Sequence, residues 1–342
     1  MAYYLVDRHA IKRNVEAIRT EFDNEGIDLI LSYSIKTNSM PQVLSYMNAC
    51  NVLPEAVSDM EIELANRFFA KKMKISNGVA TSYKNLAELV KAGDIVNVND
   101  LASLKRIYQL VGDGHRIGIR IRFNDDSRFG ISVDDLDKAI DYCDGKFDVE
   151  CIHCHVTATR EKARYGNKVK SMIDALIRYD LRPKYIDFGG SMYGELHPVL
   201  KPRFNDVAEF DDYASIISSQ IQRLDYKPKV ILECGTALVA NAVNLVAKVI
   251  RIDEYDRVIL DCDKFSLGML YGDEIPYKSS CKTGDEEYTI YGCSCIEDDV
   301  LIKKHVSSRP CIGDTFEFVG CGAYTYCFEP EFIIPRLEVL EK

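Results

Sequence analysis

The sequence alternates eight times between a short apolar run and a longer amphipathic segment, and this repetition limits the folds open to the chain. The apolar runs are typical of strands buried on both faces. They cover residues 28–35, 55–58, 73–77, 94–99, 116–123, 149–156, 184–188 and 229–234. The segments between them open at residues suited to helix capping, and several close at Gly. This pattern predicts a (β/α)8 barrel of the TIM type.

The pattern changes after residue 239. Short alternating segments follow, separated by turn sequences such as TGDEE and SSRPCIGD, which predicts a second, mostly antiparallel β domain. The N-terminal YYLVD is expected to add a strand to that domain. We therefore expect a barrel over residues 25–240 and a β domain formed by residues 1–24 together with residues 241–342.

Charge and composition exclude several classes of partner. The net charge is −10 and no basic stripe is visible, which argues against binding to nucleic acid or to an anionic membrane. No apolar run approaches the ~20 residues that cross a bilayer, and the N-terminus lacks the order of a signal peptide. The 12 cysteines are scattered along the chain, which favours reduced thiols. These features predict a cytoplasmic enzyme that acts on a small molecule.

Polar residues and glycines stand where several of the predicted strands end. In barrels of this type the catalytic residues lie at the carboxyl ends of the strands. The residues at the predicted strand ends are Lys36, Arg120, His155, Gly189, Gly190 and Glu233. A lysine in a partly desolvated barrel mouth is expected to have a lowered pKa, so it can form a Schiff base with an aldehyde. Glycines in DFGGS and ECGTA offer backbone N–H groups to a phosphate, and Glu233 can pair with a protonated ring nitrogen. Together these features indicate pyridoxal 5′-phosphate (PLP).

Ordered motifs over nearly the whole chain resemble those of the fold type III PLP-dependent decarboxylases, which include diaminopimelate, ornithine and arginine decarboxylases. The motifs are YSIKTNS, AVSDMEIELA, NVNDLASLKRI, IRIRFNDDSRFGI, CHVTATR, IDFGGSMYG, ECGTALVANA, GCSCIEDD and GAYT. The resemblance implies that Lys36 holds the cofactor as a Schiff base, that Arg120 lies beside it and that His155 stacks on its ring. The other implied cofactor contacts are Gly189, Gly190, Ser191, Glu233, Gly235, Thr236 and Tyr324.

The resemblance also implies the reaction and the assembly. The expected activity is α-decarboxylation of an amino acid or an amino-acid-derived intermediate, with release of CO2 and an amine. Lys36, His155 and Cys295 are the implied catalytic residues. In the family the cysteine reaches across a dimer interface into the partner's site, so a homodimer with shared active sites is expected.

Four positions depart from the family pattern and bear on the cofactor and the substrate, and one of them is Ser191, which replaces the third glycine of the phosphate loop. Thr236 stands where the family has an arginine, and Ala158 where it has a serine, which alters two phosphate contacts. Hydroxyl groups, backbone amides and Arg160 are the expected replacements. Ile296 stands where the family has an acidic residue that recognises the distal end of the substrate. The change predicts a different distal group from that of a diamine precursor or diaminopimelate, unless a shift of the loop lets Glu297, Asp298 or Asp299 take over the recognition.

Three alternatives remain open at this point. An amino acid racemase would share the barrel and the lysine, but such enzymes pair the ring nitrogen with arginine, whereas this chain has Glu233. A non-catalytic binding or regulatory protein would explain the departures from the family pattern, but not the retention of Lys36, His155 and Cys295. The sequence CIHCH offers metal ligands, but no second ligand pair accompanies it, so no metal site is predicted.

Overall fold

The computed structural model describes residues 1–123, 127–157, 161–195, 206–270 and 275–342. The strands are β1 (Tyr3–Val6), β2 (Leu29–Ser34), β3 (Leu53–Ser58), β4 (Ile75–Ala80), β5 (Ile95–Val98), β6 (His115–Arg122), β7 (Ile131–Ser132), β8 (Phe147–His153), β9 (Tyr185–Asp187), β10 (Lys229–Cys234), β11 (Val243–Ile252), β12 (Val258–Leu260), β13 (Tyr277–Ser279), β14 (Glu286–Tyr291), β15 (Val300–Ser307), β16 (Thr315–Phe318) and β17 (Glu338–Glu341).

The α-helices lie mainly between the barrel strands. They are α1 (Arg8–Asn24), α2 (Pro41–Ala49), α3 (Asp59–Phe68), α4 (Tyr83–Ala92), α5 (Leu101–Val111), α6 (Leu136–Cys143), α7 (Lys162–Arg178), α8 (Phe210–Ile221) and α9 (Thr236–Val239). Their starts follow local chemistry, since the side chains of Asp7, Ser58 and Asp100 accept hydrogen bonds from backbone N–H groups in the first turns of α1, α3 and α5. None of the described helices is both long and apolar enough to cross a membrane.

Eight parallel strands close into a barrel. The order is β5-β4-β3-β2-β10-β9-β8-β6, and pairing of β5 with β6 closes the ring. The register of β10 on β2 brings Glu233 opposite Ser32, and that of β2 on β3 brings Ser34 opposite Glu55. Parallel strands all present their carboxyl ends at one rim, so the polar residues at these ends face a common space.

A second, mostly antiparallel sheet accompanies the barrel. Its path is β13-β16-β11-β12-β14-β15, and β1 joins it by pairing antiparallel with β11 and parallel with β17. In β16, Phe316 and Phe318 are buried while Thr315 and Glu317 are partly exposed, which is the pattern of a sheet with one face on the core. The predicted fold class, a TIM-type barrel with a second antiparallel sheet, is confirmed.

Candidate active site

Lys36 lies in a short 3-10 turn, residues 35–37, directly after β2. Its Nζ is 2.6 Å from Oε2 of Glu55 in the neighbouring strand β3, and Glu55 is fully buried. Burial lowers the pKa of the Lys36 amine, but Glu55 and Glu233 together outweigh burial, so the pKa is raised above its usual value. The expectation of a lowered pKa was wrong, because it did not include a buried carboxylate in contact with the amine.

An asparagine connects this ion pair to the other acid of the site. The amide nitrogen of Asn77, in β4, donates to the Glu233 carboxylate and lies 3.4 Å from Oε1 of Glu55. Asn97, in β5, in turn donates to the Asn77 side-chain oxygen at 2.6 Å. The polar groups therefore form one chain of contacts from Lys36, in the turn after β2, through Glu55 in β3 and Asn77 in β4 to Glu233 in β10.

Glu233, near the carboxyl end of β10, lies close to His153 and Asp187. His153 Nε2 is 3.3 Å from Glu233 Oε2, and all three side chains are buried. Burial by itself would raise the pKa of Glu233, but hydrogen bonding from His153 and the Lys36 cation hold it below its usual value. Burial also lowers the pKa of His153, which keeps its ring uncharged. The Glu233 carboxylate is thus an anion beneath the cleft.

His155 follows β8 and contacts the glycine segment after β9. The backbone N–H of Gly190 donates to His155 Nδ1 at 3.1 Å, and the N–H of Gly189 donates to Asp187 Oδ1 at 2.8 Å. Burial lowers the pKa of His155 to about 3, so the ring is neutral with its proton on Nε2. A Cβ at Gly190 would come within 2.5 Å of the Glu233 carbonyl oxygen, which only glycine avoids.

Two of the remaining predicted cofactor contacts, Gly235 and Tyr324, lie on segments that meet at Thr37, the residue after Lys36. A Cβ at Gly235 would come within 2.0 Å of Thr37 Oγ1, and the N–H of Tyr324 donates to the Thr37 carbonyl oxygen at 2.9 Å. Thr236 begins α9, and Ser191 has a φ of 68°. The turn that carries Lys36 is therefore packed against both the Gly235 segment and the Tyr324 segment.

A cleft of about 610 Å³ opens at the rim of the barrel. The predicted residues Lys36, Arg120, His155 and Glu233 line it together, and Arg120 Cζ stacks 5.0 Å from the centre of the Phe129 ring. The predicted residues that are not among its described lining residues are Gly189, Gly190, Ser191, Gly235, Thr236, Tyr324 and Cys295. Ala158 and Arg160, whose roles were predicted from the sequence, lie outside the described residues.

Cys295 belongs to an exposed loop between β14 and β15, here called the Cys295 loop (residues 292–299). Asp299 organises this loop, because its carboxylate oxygens accept the N–H groups of Lys264 at 2.8 Å and Ser294 at 2.9 Å. Asp298 pairs with Lys264 at 2.7 Å. Asp299 therefore has a structural task within the loop, and the thiol of Cys295 faces outward from it.

Four residues of the site were not assigned to it from the sequence: Glu55, Asn77, His153 and Asp187. His153 stands in the sequence CIHCH, which offers metal ligands. Each stands in a barrel strand and is at most 2% exposed. A buried polar residue in a parallel strand needs a partner in the interior, and that requirement was the signal available in the sequence.

The residues present fit PLP. The cleft combines an amine at Lys36, an anionic carboxylate at Glu233 and a neutral imidazole at His155. Its volume of about 610 Å³ lies in the usual range for small-molecule sites. His153, Asp187 and Glu233 are, among the described residues, also close enough together to hold a metal ion. The lysine and the imidazole at the rim are the groups that a pyridoxal aldehyde and ring require.

Comparison with known proteins agrees with this geometry. Residues 8–240 match the model of the family described as pyridoxal-dependent decarboxylase, pyridoxal binding domain. The chain is 24% identical to a diaminopimelate decarboxylase of Archaeoglobus fulgidus over 96% of this chain and 84% of that protein.

Solved structures resemble the fold over its full length. Diaminopimelate decarboxylase from Helicobacter pylori, complexed with L-lysine, has a TM-score of 0.88 at 20% identity, covering 100% of this chain and 91% of that one. Lysine/ornithine decarboxylase from Vibrio vulnificus, complexed with cadaverine, has a TM-score of 0.84 at 18% identity, covering 100% of this chain and 94% of that one. The predictions of PLP as cofactor and of a decarboxylase are confirmed. On the match over residues 8–240, the chain belongs to the pyridoxal-dependent decarboxylase family.

Proposed function

We propose that the protein removes the α-carboxylate of an amino acid, with Lys36 as the residue that holds PLP covalently. The observation that carries the proposal is the shared cleft, in which the Lys36 amine and the buried Glu233 carboxylate are joined through Glu55 and Asn77. PLP, when bound, supplies an electron sink for the electron pair left at Cα as CO2 departs. The protein's own groups bind, orient and exchange protons around that chemistry.

Glu55 is proposed to take a proton from Lys36. The amine is protonated in its ion pair, and an amine must lose that proton before it bonds to an aldehyde carbon. Oε2 of Glu55 lies 2.6 Å from Nζ, within direct proton-transfer distance. Glu233 is proposed to remain anionic and to accept a hydrogen bond from the ring nitrogen of the cofactor, which keeps that nitrogen protonated.

His155 is proposed to support one face of the cofactor ring, because its imidazole is neutral and lines the cleft. Arg120 brings a guanidinium into the same cleft, suited to a carboxylate or phosphate oxygen.

The phosphate is proposed to lie at the glycine segments, with backbone and hydroxyl contacts from Gly189, Gly190, Ser191, Gly235, Thr236 and Tyr324. A buried cation supports this placement, since Lys168 Nζ donates to the Phe188 carbonyl oxygen at 2.8 Å, directly before Gly189. Burial lowers the pKa of Lys168 to about 8, so at neutral pH it still contributes positive potential behind this loop.

The active unit is proposed to be a homodimer in which the partner's Cys295 completes the cleft and protonates Cα. The position of Cys295 supports this arrangement, because the loop holds the thiol at the surface of its own chain. We also propose that residues 1–24 and 241–342 act as one β domain beside the barrel of residues 25–240, since β1 pairs with both β11 and β17. The free thiols of the 12 cysteines support a cytoplasmic location.

The substrate is proposed to be an amino acid with an extended side chain. The diaminopimelate decarboxylase relative and the L-lysine and cadaverine complexes of the similar structures support this size class. Ile296 stands next to Cys295, and its apolar side chain favours a distal group other than an ammonium ion.

The test combines covalent trapping with product analysis. Protein loaded with PLP is treated with borohydride and mapped by peptide mass spectrometry, and we expect the pyridoxyl adduct on Lys36. A panel of amino acids is then screened for CO2 release and for the chirality of recovered substrate. An adduct elsewhere overturns the lysine assignment, and inversion at Cα without CO2 overturns decarboxylation in favour of racemisation.

A further inference from the structure

Two carboxylates and a histidine are buried side by side, and two of the three residues, His153 and Glu233, line the cleft. Strands β8, β9 and β10 are neighbours in the barrel and carry His153, Asp187 and Glu233. These side chains are 0%, 0% and 3% exposed. One nitrogen of His153 and one oxygen of each acid all lie within 4.8 Å of one another. Two ionised carboxylates at this spacing in a dry interior would repel strongly.

The hydrogen bonds leave one oxygen of this group without a donor. Glu233 receives hydrogen bonds from Asn77 and His153, and Asp187 Oδ1 receives the N–H of Gly189. Asp187 Oδ2 is buried and has no partner. A proton on Oδ2 turns that atom into a donor and removes the repulsion at the same time, with the Glu233 carboxylate as acceptor.

The proton belongs on Asp187 rather than on Glu233. Glu233 has two donors and the nearby Lys36 cation, whereas Asp187 has a single backbone donor. Burial and then the Glu233 charge raise the pKa of Asp187 well above its usual value. The titratable or charged groups that face Asp187 are Glu55, Arg120, Cys151, His153, Cys154, Tyr165, Lys168, Glu233 and Cys234.

We propose that Asp187 is a neutral carboxylic acid whose Oδ2–H donates to Glu233, and that Asp187 and His153 together position the Glu233 carboxylate toward the cofactor ring. This inference rests on the proposed role of Glu233 in pairing with the ring nitrogen. Three donors on one carboxylate weaken its basicity, so the proton between Glu233 and the ring stays on the ring. Asp187 is a positioning residue, because it acts through Glu233.

The first experiment reads the protonation of Asp187 directly. Infrared spectra are recorded at about pH 8 on full-length protein with isotope-labelled aspartate, prepared without and with PLP. We expect a protonated-carboxyl C=O band that is absent from Asp187→Asn. Asp299→Asn is the matched control. Backbone N–H groups donate to both carboxylate oxygens of this buried aspartate, so we expect its replacement to remove no such band. A band unchanged by Asp187→Asn overturns the proposal.

The second experiment reads the consequence at the ring nitrogen. With PLP labelled at its ring nitrogen, NMR is expected to find that nitrogen protonated in the wild type and in Asp187→Asn, whose amide N–H replaces the donor. Asp187→Leu removes the donor, and we expect a shift toward the neutral ring with kcat lowered about 10–100-fold and KM little changed. Equal ring signals in the Leu and Asn variants overturn the positioning role.

Metal binding is the competing outcome. A metal ion needs both carboxylates ionised. Stoichiometric uptake of Zn²⁺ by the full-length protein, lost in Asp187→Asn, overturns the neutral acid, and calorimetry without such uptake agrees with it. The infrared arm uses no substrate and does not require PLP. It therefore separates failure of this inference from failure of the proposed decarboxylation.

Discussion

The floor of the cleft and the Cys295 loop differ in how the chain holds them. On the floor, Glu55, Asn77, His153, Asp187 and Glu233 are each at most 3% exposed, and neighbouring barrel strands supply their partners. Cys295 is exposed, in a loop folded around Asp299. The residues of the floor therefore come from one chain, whereas the loop exposes the Cys295 thiol at the surface, as the proposed homodimer requires.

The two regions should also differ in how much a substitution lowers the stability of the fold. Polar groups in a dry interior interact strongly, so removing one partner leaves the other buried without a hydrogen bond and lowers the stability of the fold. An exposed thiol makes few contacts with its own chain, so its replacement leaves folding nearly unchanged. Substitutions on the floor should thus change chemistry and stability together, while replacement of Cys295 should change activity alone.

The largest effect is expected at Lys36. Lys36→Ala removes the amine that is proposed to bond to the cofactor, so we expect activity to fall by about 10³-fold or more and the borohydride adduct to vanish. Lys36→Arg keeps the charge beside Glu55 but has no primary amine, and it should be equally inactive while folding normally. Activity retained in Lys36→Arg, measured as CO2 release, would show that charge rather than the covalent bond matters.

Glu233→Gln should have the next largest effect. The variant keeps the size and hydrogen-bonding capacity of the side chain but removes the anion, so we expect kcat to fall about 10²–10³-fold. The matched control is Glu297→Gln, an exposed acid of the Cys295 loop, which should stay within about twofold of the wild type. Similar losses in both variants would remove the distinction between the two regions.

The Cys295 loop can be tested by mixing inactive variants. Lys36→Ala and Cys295→Ala are each expected to be poorly active, because each lacks one half of a shared site. Random assortment into mixed dimers restores one complete site per mixed dimer, so CO2 release should recover to about a quarter of the wild-type value. No recovery in refolded mixtures, with dimers verified by light scattering, would place Cys295 outside the partner's cleft.

The smallest expected effects concern the pH dependence of stability. One buried glutamate beside the barrel and one in the C-terminal segment should each make the protein less stable as pH rises. Burial raises the pKa of Glu61, in α3 beside the barrel rim, and of Glu329, in the C-terminal segment, to about 7. A carboxyl with a raised pKa stabilises the folded state while protonated, and that contribution is lost as pH rises from about 4.5 to about 7. Over this pH range we expect each of the two residues to lower the free energy of unfolding by up to about 3 kcal/mol.

Urea unfolding at about pH 5 and about pH 8 measures this loss. Glu61→Gln and Glu329→Gln should each flatten the dependence on pH, since an amide does not titrate. A variant with the full wild-type pH dependence would show that the residue it replaces does not contribute.

Much of the architecture follows from local sequence. The eight predicted strands lie within a few residues of β2, β3, β4, β5, β6, β8, β9 and β10, because parallel strands buried on both faces leave long apolar runs. The position of Lys36 beyond the first of them also follows, since the carboxyl ends of barrel strands meet at one rim.

The partners of these residues depend on contacts between segments far apart in the chain. Glu233 lies 156 positions from Asn77 and 80 from His153, yet hydrogen bonds join them. The raised pKa of Lys36 has the same origin, because it depends on Glu55 across a strand boundary. A local pattern records which residues are buried, but not which of them meet.

The sequence by itself determined the barrel, the place of the lysine at its rim and the family of the enzyme. Only the tertiary structure decided the charge of that lysine, the set of donors around Glu233 and the outward position of Cys295. The physical reason is that periodicity follows from burial along one segment, whereas protonation and hydrogen bonding follow from distances of a few ångströms between different strands.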